Sequence, residues 1–284
     1  MMMPEDTRVI DASSELYNAD LVRRADETDD LAYFWVRARG EPVSFEPGQY
    51  LTIGVFADGK LVQRPYSVAS SPRESRDGYE FYIRLVPILR FTTLLWRLPI
   101  GHGMRVTGPK GRFMLEPDDD RTHLFISTGT GIAPFISMTR TLLMDRVPRR
   151  TLIAHGVSYA RELGYRGELE QLARDGYPLT YVPTVSRPSD PANAGWTGRT
   201  GRVEAILDDV CEEHRLVPER TVVYICGNPE MILKAEALMQ GRGFPEPHVK
   251  KELYWPKGKG MPPAVDVTRG RPVSDRAVQV AAEH

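Results

Sequence analysis

Cysteine is nearly missing from this chain. Cys211 and Cys226 are the only two, and because an iron–sulfur cluster normally takes four thiolates, the chain cannot hold one in the usual way. If it moves electrons, another group must carry them. Metal-ligand patterning is absent as well. The six histidines, at 102, 123, 155, 214, 248 and 284, form no pair at helical spacing and lie beside no cysteine pair, so no metal site is expected. No apolar run approaches the roughly 20 residues of a membrane span, and residues 1–11, MMMPEDTRVID, lack the hydrophobic region of a signal peptide. Those absences favour a cytoplasmic protein that binds no membrane. The net charge of −1 gives no general attraction to nucleic acid or anionic lipid, and leaves electrostatic recognition to local patches.

What is present is enough for two ordinary domains. The 284 residues are 41% apolar and 26% charged, the balance of a folded globular chain. After an N-terminal segment, 1–15, short stretches rich in β-branched and aromatic residues recur at 32–39, 49–56, 61–69, 79–86 and 104–108, punctuated by turns such as Glu46-Pro47-Gly48. Strands this closely spaced predict a small antiparallel β-barrel over 16–116. One stretch inside it, 91–98 (FTTLLWRL), reads as a short helix that Thr92 or Thr93 could cap, serving as a phosphate site, a plug for the barrel end, or both. The run Glu116-Pro117-Asp118-Asp119-Asp120 then breaks the pattern and marks a domain boundary.

From 121 to 256 strand and helix alternate. Strands at 123–127, 151–157, 179–186 and 221–226 precede helices at 133–144, 161–174, 203–214 and up to about 239, and 249–255 supplies a fifth strand. Apolar runs alternating with helices predict a five-stranded parallel α/β domain covered on both faces. The remainder, 257–284, reads as a flexible, solvated extension, or as a docking element for an acidic partner.

Three constellations carry chemistry. In Arg64-Pro65-Tyr66-Ser67 the period of two puts Arg64 and Tyr66 on one strand face with Ser67 beside them. A guanidinium suits phosphate, a ring suits stacking, and a hydroxyl can bond a ring nitrogen. The second, Ser127-Thr128-Gly129-Thr130-Gly131-Ile132-Ala133-Pro134, lies between strand and helix, where glycines let the backbone approach a pyrophosphate; Pro134 suits a first helical turn. The third, Cys226-Gly227-Asn228-Pro229, ends the fourth parallel strand. With strand order 3-2-1-4-5, the first and fourth strands are neighbours at the switch point, and the last two constellations line one crevice.

In order and spacing these stretches resemble the ferredoxin–NADP+ reductase family, and most closely its bacterial branch. The resemblance covers about 16–255. It implies an antiparallel FAD-binding β-barrel followed by a parallel α/β NADP-binding domain, exchanging electrons between NADP(H) and a one-electron carrier, ferredoxin or flavodoxin, by hydride transfer to or from FAD N5. Carried over residue by residue, it gives Arg64 the flavin phosphate side, Tyr66 the ring stack and Ser67 the neighbourhood of N5, with Pro65 among the FAD-binding residues. Ile83, Arg84 and Leu85 match the strand along the flavin, and Thr92 and Thr93 the helix start at its pyrophosphate, which implies FAD rather than FMN. Tyr254 and Trp255 match an aromatic finish over the flavin. Thr128, Gly129, Thr130 and Gly131 match the nicotinamide nucleotide loop, and Cys226 with Gly227, Asn228 and Pro229 the nicotinamide side; Ser67, Cys226 and Tyr66 are then the catalytic set.

For the 2′-phosphate that separates NADP from NAD, Arg187 and Arg202 match family positions. Arg199 competes with Arg202, and a further family arginine is replaced by Ser158, with Arg161 nearby. The carrier is expected to be acidic, to meet a monomer, and to dock on basic residues; Arg37, Arg39, Arg73, Arg76 and the lysines of 250–259 are the candidates. Two other readings stay open: a reductase component serving an oxygenase or another flavoprotein, and a nucleotide-binding module without turnover, against which the joint presence of Tyr66, Ser67 and Cys226 speaks.

Overall fold

The computed structural model describes residues 9–116, 119–252, 265–266 and 271–272. The first half forms β1 (Ala19–Thr28), β2 (Leu31–Ala38), β3 (Tyr50–Ala57), β4 (Lys60–Ser67), β5 (Tyr79–Arg84), the helix α1 (Arg90–Leu95) and β6 (Gly103–Lys110). The six strands make one antiparallel sheet in the order β4-β3-β6-β1-β2-β5. Its two edge strands are joined just past the end of β4, where Ala69 N–H donates to Glu80 C=O at 2.8 Å, so the sheet curls into the expected barrel. Strand β1 does not stand out in the sequence. Within ADLVRRADET only Ala19 and Leu21 are buried, and the charged remainder is held by neighbours such as Trp35, whose ring lies 4.3 Å below the Arg23 guanidinium. That cation–π contact substitutes for the missing apolar alternation.

The second half forms β7 (Thr122–Thr128), α2 (Ala133–Met144), β8 (Thr151–Val157), α3 (Arg166–Arg174), β9 (Leu179–Val185), β10 (Arg199–Thr200), α4 (Leu207–Glu213), β11 (Thr221–Cys226), α5 (Pro229–Gly241) and β12 (Val249–Glu252). The sheet order is β10-β9-β8-β7-β11-β12, all parallel. The five expected strands stand in the order 3-2-1-4-5, and a sixth, the two-residue β10, is added outside β9; too short to show a period, it is fixed only by pairing with Thr184 and Val185. Two helices are shorter than expected. The one expected at 161–174 starts at Arg166, because Tyr165 adopts φ 62° and Gly164 lies against the barrel, where a Cβ would meet Tyr82 Oη at 2.3 Å. The one expected at 203–214 opens as a 3-10 turn, Val203–Ile206, before α4.

One apolar cluster belongs to both halves. Leu31, Ala69, Tyr82 and Phe113 pack with Phe125, Ile132, Phe135 and Tyr224. Polar contacts frame it: Ser137 Oγ donates to Ser70 C=O at 2.8 Å, and Arg140 bonds both Glu80, at 2.7 Å, and Glu168, at 2.7 Å. The C-terminal unit, 253–284, is described only by antiparallel pairing of Val265–Asp266 with Arg271–Pro272. Tyr254, Trp255, Lys257 and Lys259 lie outside the described residues, and so does most of the segment expected to be flexible. Among the described residues no helix is long and apolar enough to cross a membrane.

Candidate functional site

The candidate site lies where the end of the barrel's β4 meets the carboxyl ends of the parallel strands. Cys226, the last residue of β11, stands in register with Ser127 on β7 and with Glu252 on β12. Ser67, the last residue of β4, is buried and donates from Oγ to Glu252 Oε2 at 3.3 Å. Glu252 thus joins Ser67 to the strand neighbouring Cys226, and brings together two residues 159 positions apart in the chain. Burial drives the Glu252 carboxyl up to about 7, against the opposing pull of the Ser67 hydrogen bond. A group near neutrality is equipped to hold or release a proton.

On the barrel side Arg64 is exposed, Tyr66 is half-buried with its ring 5.8 Å from Phe91 of α1, and burial raises the Tyr66 phenol. Strand β4, which carries Arg64–Ser67, and strand β5, which carries Ile83 and Arg84, are the two edges of the curled sheet. The Arg84 side chain does not line the seam between them: its guanidinium pairs with Asp30 at 2.7 Å and Glu162 at 2.9 Å. The Thr92 hydroxyl bonds Val86 C=O at 2.9 Å, and the Thr93 hydroxyl bonds Arg90 C=O at 2.9 Å, so each braces its own loop. Arg90, which the sequence reading passed over, opens α1 with its Nε shielded from solvent and without a hydrogen-bond partner. A buried guanidinium nitrogen lacking an acceptor fits an oxygen-rich group such as a flavin pyrophosphate.

On the nucleotide side the 3-10 turn Gly129–Ile132 leads into α2, with Pro134 in its first turn as expected. Gly129 has φ 52°, and a Cβ on Gly131 would lie 2.5 Å from Cys226 C=O and 2.6 Å from Gly227 Cα. The two loops therefore touch, and only a glycine fits between them. Thr128 Oγ1 accepts from Asn228 N–H at 2.9 Å, while Asn228 Oδ1 caps α5 through Glu230 N–H at 2.9 Å. Beneath them His155, fully buried, has Nε2 3.0 Å from Gly129 C=O and Nδ1 3.1 Å from the Tyr181 hydroxyl. With the carbonyl accepting, Nε2 carries the proton and Nδ1 accepts from Tyr181.

Arg187 donates to Tyr159 Oη at 2.8 Å, and Arg161 lies 4.8 Å above the same ring. Arg202 is well exposed, with Glu204 no nearer than 4.0 Å, whereas Arg199 is paired with Glu213. Of the competing pair, Arg202 thus remains available for an anion. The proposed carrier surface fares differently. Arg39 is chelated by Asp20 and Arg73 by Asp145. Lys250 is paired with Glu116 and Lys251 with Glu236. In the β2–β5 register Ile83 faces Ala32, which puts Arg37 about 17 Å away along the strand.

Residues 18–115 match the oxidoreductase FAD-binding domain, and residues 125–237 match the oxidoreductase NAD-binding domain. The chain is therefore a flavin- and nicotinamide-dependent oxidoreductase. Ferredoxin–NADP reductase B of Sorangium cellulosum is 32% identical over 221 residues, 77% of this chain and 88% of that one. The ferredoxin–NAD(P)+ reductase component of the naphthalene 1,2-dioxygenase system of Pseudomonas putida is 27% identical over 257 residues, 90% of this chain and 74% of that one. Among solved structures, the cytochrome P450 reductase of Amycolatopsis superposes with a TM-score of 0.73 at 28% identity, over 84% of this chain and 70% of that one. The chain belongs to the ferredoxin–NADP+ reductase family. A ferredoxin NADP+ reductase from Neisseria gonorrhoeae, at TM-score 0.70 and 24% identity over 86% of this chain and 100% of that one, shares the fold.

Proposed function

We propose that the chain exchanges electrons between NADP(H) and a one-electron carrier, a ferredoxin or a flavodoxin. The observation that supports this most is the Ser67–Glu252 hydrogen bond at the crevice that Cys226 also borders. FAD bound there supplies a ring that takes an electron pair from a reduced nicotinamide and releases the electrons one at a time. Tyr66 gives that ring a face to lie on, with Arg64 and Arg90 for its phosphates. Thr128, Gly129, Thr130 and Gly131, with Gly227, Asn228 and Pro229, give the nicotinamide nucleotide a backbone cradle, and Cys226 borders the nicotinamide side. Ser67 Oγ and Glu252 Oε2 hold the proton that redox change at the ring requires or releases.

Arg187, Arg161 and Arg202 support a preference for the 2′-phosphorylated coenzyme. Arg187→Ala should raise KM for NADPH by about 10- to 100-fold, the worth of lost charge-assisted hydrogen bonds, and leave KM for NADH within about twofold. Equal effects would remove the NADP preference.

A second reading is a reductase component that feeds an oxygenase. It is favoured by the likeness to the naphthalene dioxygenase component, which covers more of this chain than the Sorangium reductase does. The purified protein, bleached anaerobically by NADPH and by NADH and then mixed with ferredoxin or flavodoxin, separates the two. Bleaching by NADPH followed by carrier reduction is expected. Bleaching without reduction of either carrier would favour the oxygenase reading, and a protein that gains no flavin spectrum with added FAD would end both.

A further inference from the structure

A buried carboxylate ties the loop after β8 to the barrel. Glu162 Oε2 accepts from the backbone N–H groups of Ser158 and Tyr159, both at 3.2 Å. Its Oε1 pairs at 2.9 Å with Arg84 Nη2, and Arg84 Nη1 pairs at 2.7 Å with Asp30 on the barrel. Tyr82, beside Arg84 on β5, adds a bond from its hydroxyl to Glu162 C=O at 3.3 Å. The Glu162 side chain is only 12% exposed, so its own contacts are sheltered from bulk water, while Arg84 is 32% exposed.

The two N–H groups held this way belong to the segment that presents the Tyr159 ring. Arg161 sits 4.8 Å and Arg187 5.3 Å from that ring's centre. Arg161 and Glu162 share one 3-10 turn, Ala160–Glu162, so the anchoring of Glu162 fixes the direction in which Arg161 leaves the backbone. Asn193 completes the frame: its amide donates to Ser158 C=O at 3.0 Å and Arg187 C=O at 2.8 Å, and its oxygen accepts from Ala160 N–H at 2.8 Å. The Tyr159 ring, with Arg161 and Arg187 both packed against it, is thus held by a scaffold that Arg84–Glu162 ties to the barrel through charge. Residues that bring two cations together without touching their ligand act by geometry.

We propose that Glu162 is the positioning residue for recognition of the coenzyme 2′-phosphate, and that Arg84 holds it in place from the barrel. The proposal rests on the NADP(H) reading above. It gives the strand along the flavin seam a part in selecting the coenzyme, through a residue far from the 2′-phosphate.

Calorimetric titration of the flavin-loaded full chain with adenosine 2′,5′-bisphosphate and with 5′-AMP tests it, because these probes differ only in the 2′-phosphate. Wild type should prefer the bisphosphate by at least about tenfold. Glu162→Gln should lower that preference by about tenfold while changing 5′-AMP affinity by less than about twofold. Arg84→Gln should move the preference the same way, and the double variant should be no worse than Glu162→Gln alone, since both act on one linkage. Should Glu162→Gln fail to fold, Arg84→Gln carries the same expectation. An unchanged preference in these variants, or equal weakening of both probes, overturns the proposal while Arg187→Ala still upholds the 2′-phosphate site. A wild type without preference overturns the NADP reading and this proposal with it.

Discussion

Glu252 combines a strand position with a displaced acidity. Its neighbours are Ser67 Oγ at 3.3 Å and the Gly111–Tyr50 wall, where a Gly111 Cβ would lie 3.5 Å from Oε1. With its carboxyl near 7, the side chain is part protonated at neutral pH. Glu252→Gln should remove from the kcat–pH profile a limb centred near 7, and stopped-flow turnover across pH 5.5–9 checks this. The effect on stability has the opposite sign to that of an ordinary ion-paired acid. A carboxyl raised from 4.5 to about 7 binds its proton more tightly in the folded chain, so stability falls as pH rises between those values. Denaturation at pH 8 should therefore find Glu252→Gln at least as stable as wild type. Gly131 gives a second prediction at this scale. Gly131→Ala forces apart the ends of β7 and β11, and should cost about 1–3 kcal/mol by overpacking, seen as a lower Tm and a raised KM for the nicotinamide coenzyme. Arg64–Ser67 and the two glycine loops were legible because their residue types are unusual in sequence. Glu252 and Arg90 were not, because an acid ending a short strand and an arginine opening a short helix look like solvated charge until distant partners bury them.

The parallel strands show which elements a sequence announces. Runs such as THLFIST and TVVYIC are buried almost throughout, and this continuous apolarity made the parallel strands readable, while their order, assumed as 3-2-1-4-5, is fixed by the pairing. Strand β1 escaped notice because cation–π contacts of Arg23 and Arg24 and the Asp20–Arg39 ion pair stand where apolar alternation would be, and these have no period. Two histidines within the readable strands have a further consequence. Burial pushes His123 and His155 down to about 4, so both are neutral in the fold. The unfolded chain takes up their protons from about pH 6.5 downward, so stability present above 6.5 is lost as pH falls from there toward 4. His123 packs 5.2 Å from Tyr224 and 6.2 Å from Phe125, and its Nε2 lies 3.5 Å from the Asp119 carboxylate. His123→Phe keeps the ring and removes one proton site, and thermal melts between pH 4 and 7 should show a shallower acid limb than wild type.

At the scale of the whole molecule the two sheets are joined by a polar centre set beside the shared apolar cluster. Glu80 of β5 accepts from Arg140 of α2 at 2.7 Å and from the Tyr165 hydroxyl at 2.8 Å, while Arg140 also grips Glu168. Arg140→Ala leaves Glu80 buried without its cation, and should cost about 3–5 kcal/mol in urea unfolding. Adding Glu80→Gln should recover part of the loss, which a merely local packing defect would not allow. The same junction bears on inheritance. Divided near residue 116, the barrel would keep Glu80 without its cation while Arg140 kept Glu168 in the other half, and each would expose its share of the Phe113, Phe135 and Tyr82 cluster. A foreign nucleotide domain grafted onto this barrel would leave Glu80 buried and unpaired unless it brought its own cation, so the two sheets behave as one unit under recombination.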